Sequence, residues 1–138
     1  MDSEIFVDTS GFYALLVKRD DSHQAACDCL RQAAEQRRRF VTTDYVLDET
    51  ATLLKARGHA HRLSHFFDTL LASTACRIEW TDAERFWATK ALFLKYLDHG
   101  WSFTDCLSIQ VMKRLRLRQA LTKDAHFAEA GFDVLLPG

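Results

Sequence analysis

Five short runs rich in apolar and β-branched residues punctuate this chain, at Glu4 to Asp8, Phe40 to Thr42, Cys76 to Trp80, Gln119 to Thr122 and Asp133 to Leu136. The longer stretches between them carry apolar residues at helical spacing. Leu63, Phe66, Phe67, Leu70 and Leu71 form an i, i+3, i+4, i+7, i+8 stripe. Thr81-Asp-Ala-Glu84 reads as a capping box that opens a helix running to about Leu97. Gly58, directly after Lys55-Ala-Arg57, predicts the left-handed residue that ends a helix. Strands that alternate with helices predict an α/β sandwich around a central, mainly parallel sheet of about five strands. In such a sheet a ligand site lies outside the carboxyl ends of the strands, where Asp8 falls.

Proline occurs once, at Pro137, and glycines stand singly, so no linker divides the chain and residues 1–138 read as one domain. Lys and Arg (18) nearly cancel Asp and Glu (19), for a net charge of −1. Net charge therefore does not point to a nucleic acid, and any such partner would be held by local basic patches. No stretch of 18 apolar residues exists, and the start Met-Asp-Ser-Glu is acidic where a signal peptide would be basic, so the expectation is a soluble, cytoplasmic protein without a membrane. Cys27, Cys29, Cys76 and Cys106 form neither CxxC pairs nor a disulfide scaffold and are expected to be reduced, mostly core residues.

The informative acids are those that sit where acids are costly. On a predicted helix from about Asp44 to Arg57, a turn of about 100° per residue gathers Tyr45, Val46, Leu53 and Ala56 around Glu49, while Asp48 falls on the polar side. On a predicted helix from about Thr104 to Arg116, Asp105 heads a line with Ile109 and Met112. A carboxylate on an apolar face needs a cation, hydrogen bonds or a pKa shift. Asp8 at a strand end and Asp124 after Ala120-Leu121-Thr122 are able to join these two in one pocket. Crowded carboxylates repel one another unless a divalent cation lies between them, and oxygen ligands suit Mg²⁺ or Mn²⁺. Each acid also has an ordinary structural role: Asp8 with Thr9 and Ser10 as a helix cap, Asp105 at a helix dipole, Asp124 capping Ala125 to Ala130, Glu49 as a helix former.

The segments FVDTSGFYALL, TTDYVLDETATLL, DHGWSFTDCLSIQVM and ALTKDAHFAEAGF resemble, in order and spacing, the signature blocks of the PIN-domain nucleases, especially the small stand-alone VapC-type toxins. The resemblance covers nearly the whole chain and implies a PIN-like three-layer α/β/α sandwich. It implies further that Asp8, Glu49, Asp105 and Asp124 are the catalytic acids that bind Mg²⁺ or Mn²⁺, with Thr9 or Ser10 as a supporting hydroxyl. The last block carries Thr122, Asp124 and Phe127, but His126 stands where many relatives carry another acid, at the second metal position. The implied activity is endoribonuclease hydrolysis of RNA phosphodiester bonds with a metal-activated water. The implied partners are RNA, a small antitoxin whose tail occupies the acidic cleft, and a second copy in a homodimer.

Two rivals stand beside the toxin: a PIN nuclease of RNA maturation or surveillance, and a non-catalytic PIN-like module that binds RNA or protein. The small size of the chain leans toward the toxin. A phosphoacceptor role for Asp8 fits poorly, because a haloacid-dehalogenase-type site places a second Asp where this chain has Ser10. His61 and His65 face away from the apolar stripe without an HExxH pattern, and are expected to be solvated. Candidate phosphate-contacting cations are Arg37-Arg38-Arg39 and Lys113, Arg114, Arg116 and Arg118. Trp80, Trp87 and Trp101 are candidates for base stacking or for packing.

Overall fold

Ile5–Val7 (β1), Phe40–Thr43 (β2), Cys76–Glu79 (β3), Gln119–Leu121 (β4) and Asp133–Val134 (β5) form one sheet in the computed structural model, which describes residues 4–137. The strand order is β3-β2-β1-β4-β5 and every pairing is parallel. β1, β2 and β4 are buried on both faces except at Gln119, which accounts for strands that read as short continuous apolar runs. The helices are α1 (Thr9–Leu16), α2 (His23–Glu35), α3 (Asp44–Ala56), α4 (Leu63–Ala72), α5 (Ala83–Lys95), α6 (Phe103–Arg114) and α7 (Ala125–Glu129), with a 3₁₀ turn at Ala60–Arg62. They flank the sheet and give the three-layer α/β/α architecture. No helix among the described residues is long and apolar enough to cross a membrane.

The core runs along the sheet through Phe6, Val7, Val41, Leu121, Leu107, Met112 and Phe127, all essentially without exposure. Two local expectations need correction. The helix after β3 begins one residue later than the proposed capping box: Asp82 is its cap and accepts from the Arg85 amide. The Thr81 hydroxyl instead donates to Asp44 Oδ1 at 2.7 Å, so a contact with α3 overrides the local pattern. The box forms at α6, where Ser102 and Asp105 cap each other's amides. Of the cysteines only Cys106 is fully buried, while Cys27, Cys29 and Cys76 are half-buried; all four are free. Gly58 behaves as expected, with φ 83° and a Schellman pair in which the His59 amide donates to Leu54 O and the Gly58 amide to Lys55 O.

β1, β2 and β3 progress outward in one direction and β4 then returns to the other side of β1, so the chain reverses its winding between β1 and β4. That reversal opens a crevice at the carboxyl ends of the two strands. Gly11, in the first turn of α1, lies against β4 so closely that a Cβ there would stand 2.1 Å from the Leu121 carbonyl oxygen. The obstacle is backbone and has little freedom to retreat. Gly11→Ala is expected to destabilise the fold by roughly 3 kcal/mol, the upper end of the usual overpacking cost, and denaturant unfolding of wild type and variant measures it.

Candidate active site at the β1–β4 crevice

Asp8 directly follows β1 and occupies the cap position of α1, yet its side chain makes no capping hydrogen bond to that helix. It is only 4% exposed, although a solvent-facing cap would satisfy the helix at lower cost. Its Oδ2 accepts from the Thr122 hydroxyl at 3.0 Å. Thr122 also accepts from the Asp124 amide at 3.0 Å and pairs with the Ser10 hydroxyl at 2.9 Å. Because the Thr122 proton is committed to Asp8, Ser10 is the donor in that pair, and the Lys123 amide donates to Ser10 at 3.0 Å. A directed chain of donors therefore runs from Lys123 through Ser10 and Thr122 to Asp8.

The other expected acids reach the same region from three further elements. Asp8, Glu49 and Asp124 line one open cleft of about 280 Å³ with Thr9, Ser10, Tyr13, Asp20, Leu53, Arg57 and Lys123. Glu49 accepts from the Thr9 hydroxyl at 2.6 Å. The helix-wheel reading of Glu49 is corrected: α3 buries Val46, Leu47, Thr50 and Leu54, Tyr45 and Leu53 are half-buried, and Ala56 and Glu49 are exposed. Glu49 thus stands on the cleft-facing margin and not in the middle of a core face. Asp105 does head the buried line with Ile109 and Met112, and is itself 8% exposed. Asp124 caps α7 by accepting from the His126 amide at 2.9 Å, so for this residue the capping role holds alongside its place in the cleft.

His126 enters between two of these acids. Its Nδ1 lies 2.9 Å from Asp105 Oδ2 and 3.2 Å from Asp124 Oδ1. Burial pulls the imidazole pKa down, but the charge of Asp124 together with the hydrogen bond and charge of Asp105 outweighs it and raises the value. Donor atoms of Asp105, Asp124 and His126 all lie within 4.8 Å of one another, a set able to hold a divalent cation. Oxygen donors from Asp8 and Glu49 stand close enough for Asp105 and Glu49 to act electrostatically on Asp8. The residues present therefore fit a divalent ion in donor chemistry.

The basic runs fall elsewhere. Arg37 to Arg39 immediately precede β2, while Lys113, Arg114, Arg116 and Arg118 lie between the end of α6 and β4. In a parallel sheet both groups lie at the amino edge, opposite the crevice. The cleft cations are ones that sequence runs do not single out: Arg57, whose guanidinium lies 5.2 Å from the centre of the Tyr13 ring, and Lys123, paired with Asp20 at 3.1 Å. Thr122, central to the donor chain, was legible only as part of the last family block. Trp101 packs at 8% exposure and donates to Glu129, whereas Trp80 and Trp87 are exposed. His61 and His65 are exposed, as expected.

Burial pushes the Asp8 carboxyl up to about 7; the Thr9 amide and Thr122 hydroxyl oppose that rise, and the charges of Asp105 and Glu49 add to it. Between the ordinary value of 3.8 and about 7, the metal-free folded state holds a proton that the unfolded chain has lost. Stability then falls as pH rises through that window and stays low above it. Asp8→Asn removes the penalty. In EDTA at pH 8 the variant is expected to be more stable than wild type by roughly 2–4 kcal/mol, from 1.36 kcal/mol per pKa unit, with the gap closing near pH 4; denaturant unfolding across pH reads it.

Residues 5–133 match the PIN domain. A VapC ribonuclease of Archaeoglobus fulgidus is 27% identical over 124 residues, which span 88% of this chain and 78% of that protein. In three dimensions the chain is similar to Mycobacterium tuberculosis VapC20, a sarcin–ricin-loop-cleaving toxin, with a TM-score of 0.83 at 28% identity over 97% of this chain and 100% of that one. The family match spans nearly the full chain and agrees with the five-stranded parallel sheet, so this chain belongs to the PIN domain family.

Proposed function

We propose that the chain is a Mg²⁺- or Mn²⁺-dependent endoribonuclease acting as the toxin of a type II toxin–antitoxin pair. The observation that carries this reading is the buried Asp8 carboxylate, held in a cap position without capping and facing a cleft that Glu49 and Asp124 share. Such an arrangement costs stability that a purely structural role would not require. The VapC relatives supply the choice of RNA over DNA and the toxin role. A divalent cation at these carboxylates would polarise the scissile phosphate and lower the pKa of a water.

The chain's own groups have separable tasks. Asp8, Glu49, Asp105 and Asp124 would supply the negative charge that holds the ion. Thr122 fixes the Asp8 carboxylate and Thr9 that of Glu49, while the Ser102 amide fixes Asp105. Thr9 and Ser10 thus divide the supporting-hydroxyl role, Thr9 on a carboxylate and Ser10 on Thr122. Arg57, on the cleft wall over the Tyr13 ring, would offset repulsion between the acids and the substrate phosphates, whereas Lys123 is paired with Asp20. Two protein partners belong to the same reading. One is a small antitoxin. The other is a second copy in a homodimer, which the exposed Trp87 and Leu94, seven residues apart on α5, support.

Purified protein with total RNA and Mg²⁺ or Mn²⁺ is expected to cleave, EDTA to abolish cleavage, and Asp8→Asn or Asp105→Asn to lower the rate by more than about a hundredfold, the scale on which loss of one orienting partner alone acts. Cleavage that survives EDTA and Asp8→Asn would overturn the reading. Arg57→Ala is expected to weaken RNA binding and to reduce the log affinity–log salt slope by about 1, as loss of one phosphate contact does; titrations at several salt concentrations measure it.

A further inference from the structure

We propose that His126 is a nitrogen ligand in a cation site with Asp105 and Asp124, and that this site selects a first-row transition-metal dication such as Mn²⁺ over Mg²⁺. The proposal deepens the nuclease reading and rests on it for the presence of a cation at the crevice. Two observations carry it.

The first is spacing. Adjacent donor atoms of an octahedral ion at roughly 2.1 Å stand about 3 Å apart. His126 Nδ1 lies 2.9 Å from Asp105 Oδ2 and 3.2 Å from Asp124 Oδ1, which are the separations of neighbouring coordination positions. The three donor atoms lie within 4.8 Å of one another, close enough for small side-chain rotations to bring all three onto one ion.

The second is the way the imidazole is held. A Cβ at Gly100 would stand 3.2 Å from His126 Nε2 and 3.8 Å from Cε1, so any side chain at position 100 would press on the ring where it now sits against bare backbone. Gly100 does not have the positive φ that Gly58 and Gly131 show, so the backbone there does not itself call for glycine. From the other side, the His126 amide is fixed on Asp124 Oδ1. The ring is thus seated with Nδ1 toward the two acids and Nε2 toward Gly100. Asp105 is anchored in turn by the Ser102 amide on the same Oδ2 that meets His126.

The consequence for metal choice follows from donor chemistry. Mg²⁺ prefers oxygen ligands and gives up its waters reluctantly, whereas first-row transition dications accept imidazole nitrogen readily. Asp8 and Glu49, with only oxygen donors, do not discriminate in this way. The preference therefore resides in His126, and an Asp at this position would return the set to oxygen alone.

Pulsed EPR of the full chain loaded with Mn²⁺ tests this directly. The expected result is ¹⁴N modulation from a coordinated imidazole in wild type and its loss in His126→Asp. Calorimetric titration with Mn²⁺ and with Mg²⁺ is expected to show the Mn²⁺/Mg²⁺ affinity ratio falling about tenfold or more in His126→Asp, within the range over which ligand-sphere changes act. Bound Mn²⁺ without ¹⁴N modulation in wild type, or modulation that persists in His126→Asp, overturns the ligand role. In that case cation-dependent RNA cleavage still leaves the nuclease reading standing, whereas failure of wild type to bind Mn²⁺ at all overturns both. The wild-type spectrum decides the ligand role even where the variant folds poorly.

Discussion

The seam between β1 and β4 is the constraint on which the crevice depends. Phe6 pairs with Ala120 and Val7 with Leu121, and the Asp8 amide continues the seam by donating to Leu121 O at 3.3 Å. Beyond the last strand pair the seam passes to side chains, where Lys123, Ser10, Thr122 and Asp8 form one directed run of hydrogen bonds. Asp8 and Thr122 are 114 residues apart in sequence, so no local segment builds this site. It exists only once the central long-range pairing has closed, which ties the chemistry to the slowest kind of contact a parallel sheet must make. Gly11 belongs to the same constraint, because α1 has to lie against the Leu121 carbonyl for Asp8 and Ser10 to face Thr122.

Having closed that seam, the fold leaves its acids under-compensated. Thr122, Thr9 and the Ser102 amide each satisfy a carboxylate oxygen, but hydroxyl and amide donors orient charge without neutralising it. Lys123, the cation nearest in sequence to Asp124, ion-pairs with Asp20 instead. His126 is the basic side chain within hydrogen-bond reach of Asp105 and Asp124 among the described residues. The raised pKa of Asp8 is the physical signature of this arrangement: a group that folding has made reluctant to ionise, in a place where ionised carboxylates are what a cation requires. Stability is given up locally and recovered in the fully buried core around Phe6, Leu121 and Phe127.

Much of this was legible along the chain, for reasons that differ by residue. The strands were readable because they are short and buried, so apolar runs bounded by turn residues mark them, and their ends shift by only one or two residues in the structure. Asp105 was readable because an acid that heads a buried helical line violates the period of that helix. Glu49 reached the cleft by a route the wheel did not show: periodicity ranks residues around a helix but does not say which neighbour covers each face, and the cleft, not the core, faces this side of α3. In sequence a capping box is expected only at Thr81, whereas the structure forms one at Ser102 and Asp105. At Thr81 the contact of its hydroxyl with Asp44 displaces the cap of α5 by one residue, to Asp82. The basic runs failed as site markers because clustering in sequence carries no information about the edge of a parallel sheet on which a loop lies, whereas Arg57 and Lys123, solitary in sequence, are placed in the cleft by topology alone.

That placement bears on how an acidic crevice receives a polyanion. A net charge of −1 gives little overall attraction for the RNA of the proposed reading, and beyond about 8 Å at physiological salt the separate charges are screened. Attraction must therefore be local and directional. Arg57 meets this requirement because its guanidinium lies over the Tyr13 ring, which restricts its orientation without spending its charge on a carboxylate as Lys123 does with Asp20. A phosphate entering the cleft then meets one oriented cation on the wall and the carboxylate cluster on the floor. A divalent ion held as proposed would offset the charge of Asp8, Glu49, Asp105 and Asp124 and so relieve the repulsion of the phosphate. On the proposed nuclease reading, substrate affinity and cation occupancy are coupled through the same few ångströms of cleft, because Arg57 on the wall and a cation at the carboxylates would both act on an entering phosphate.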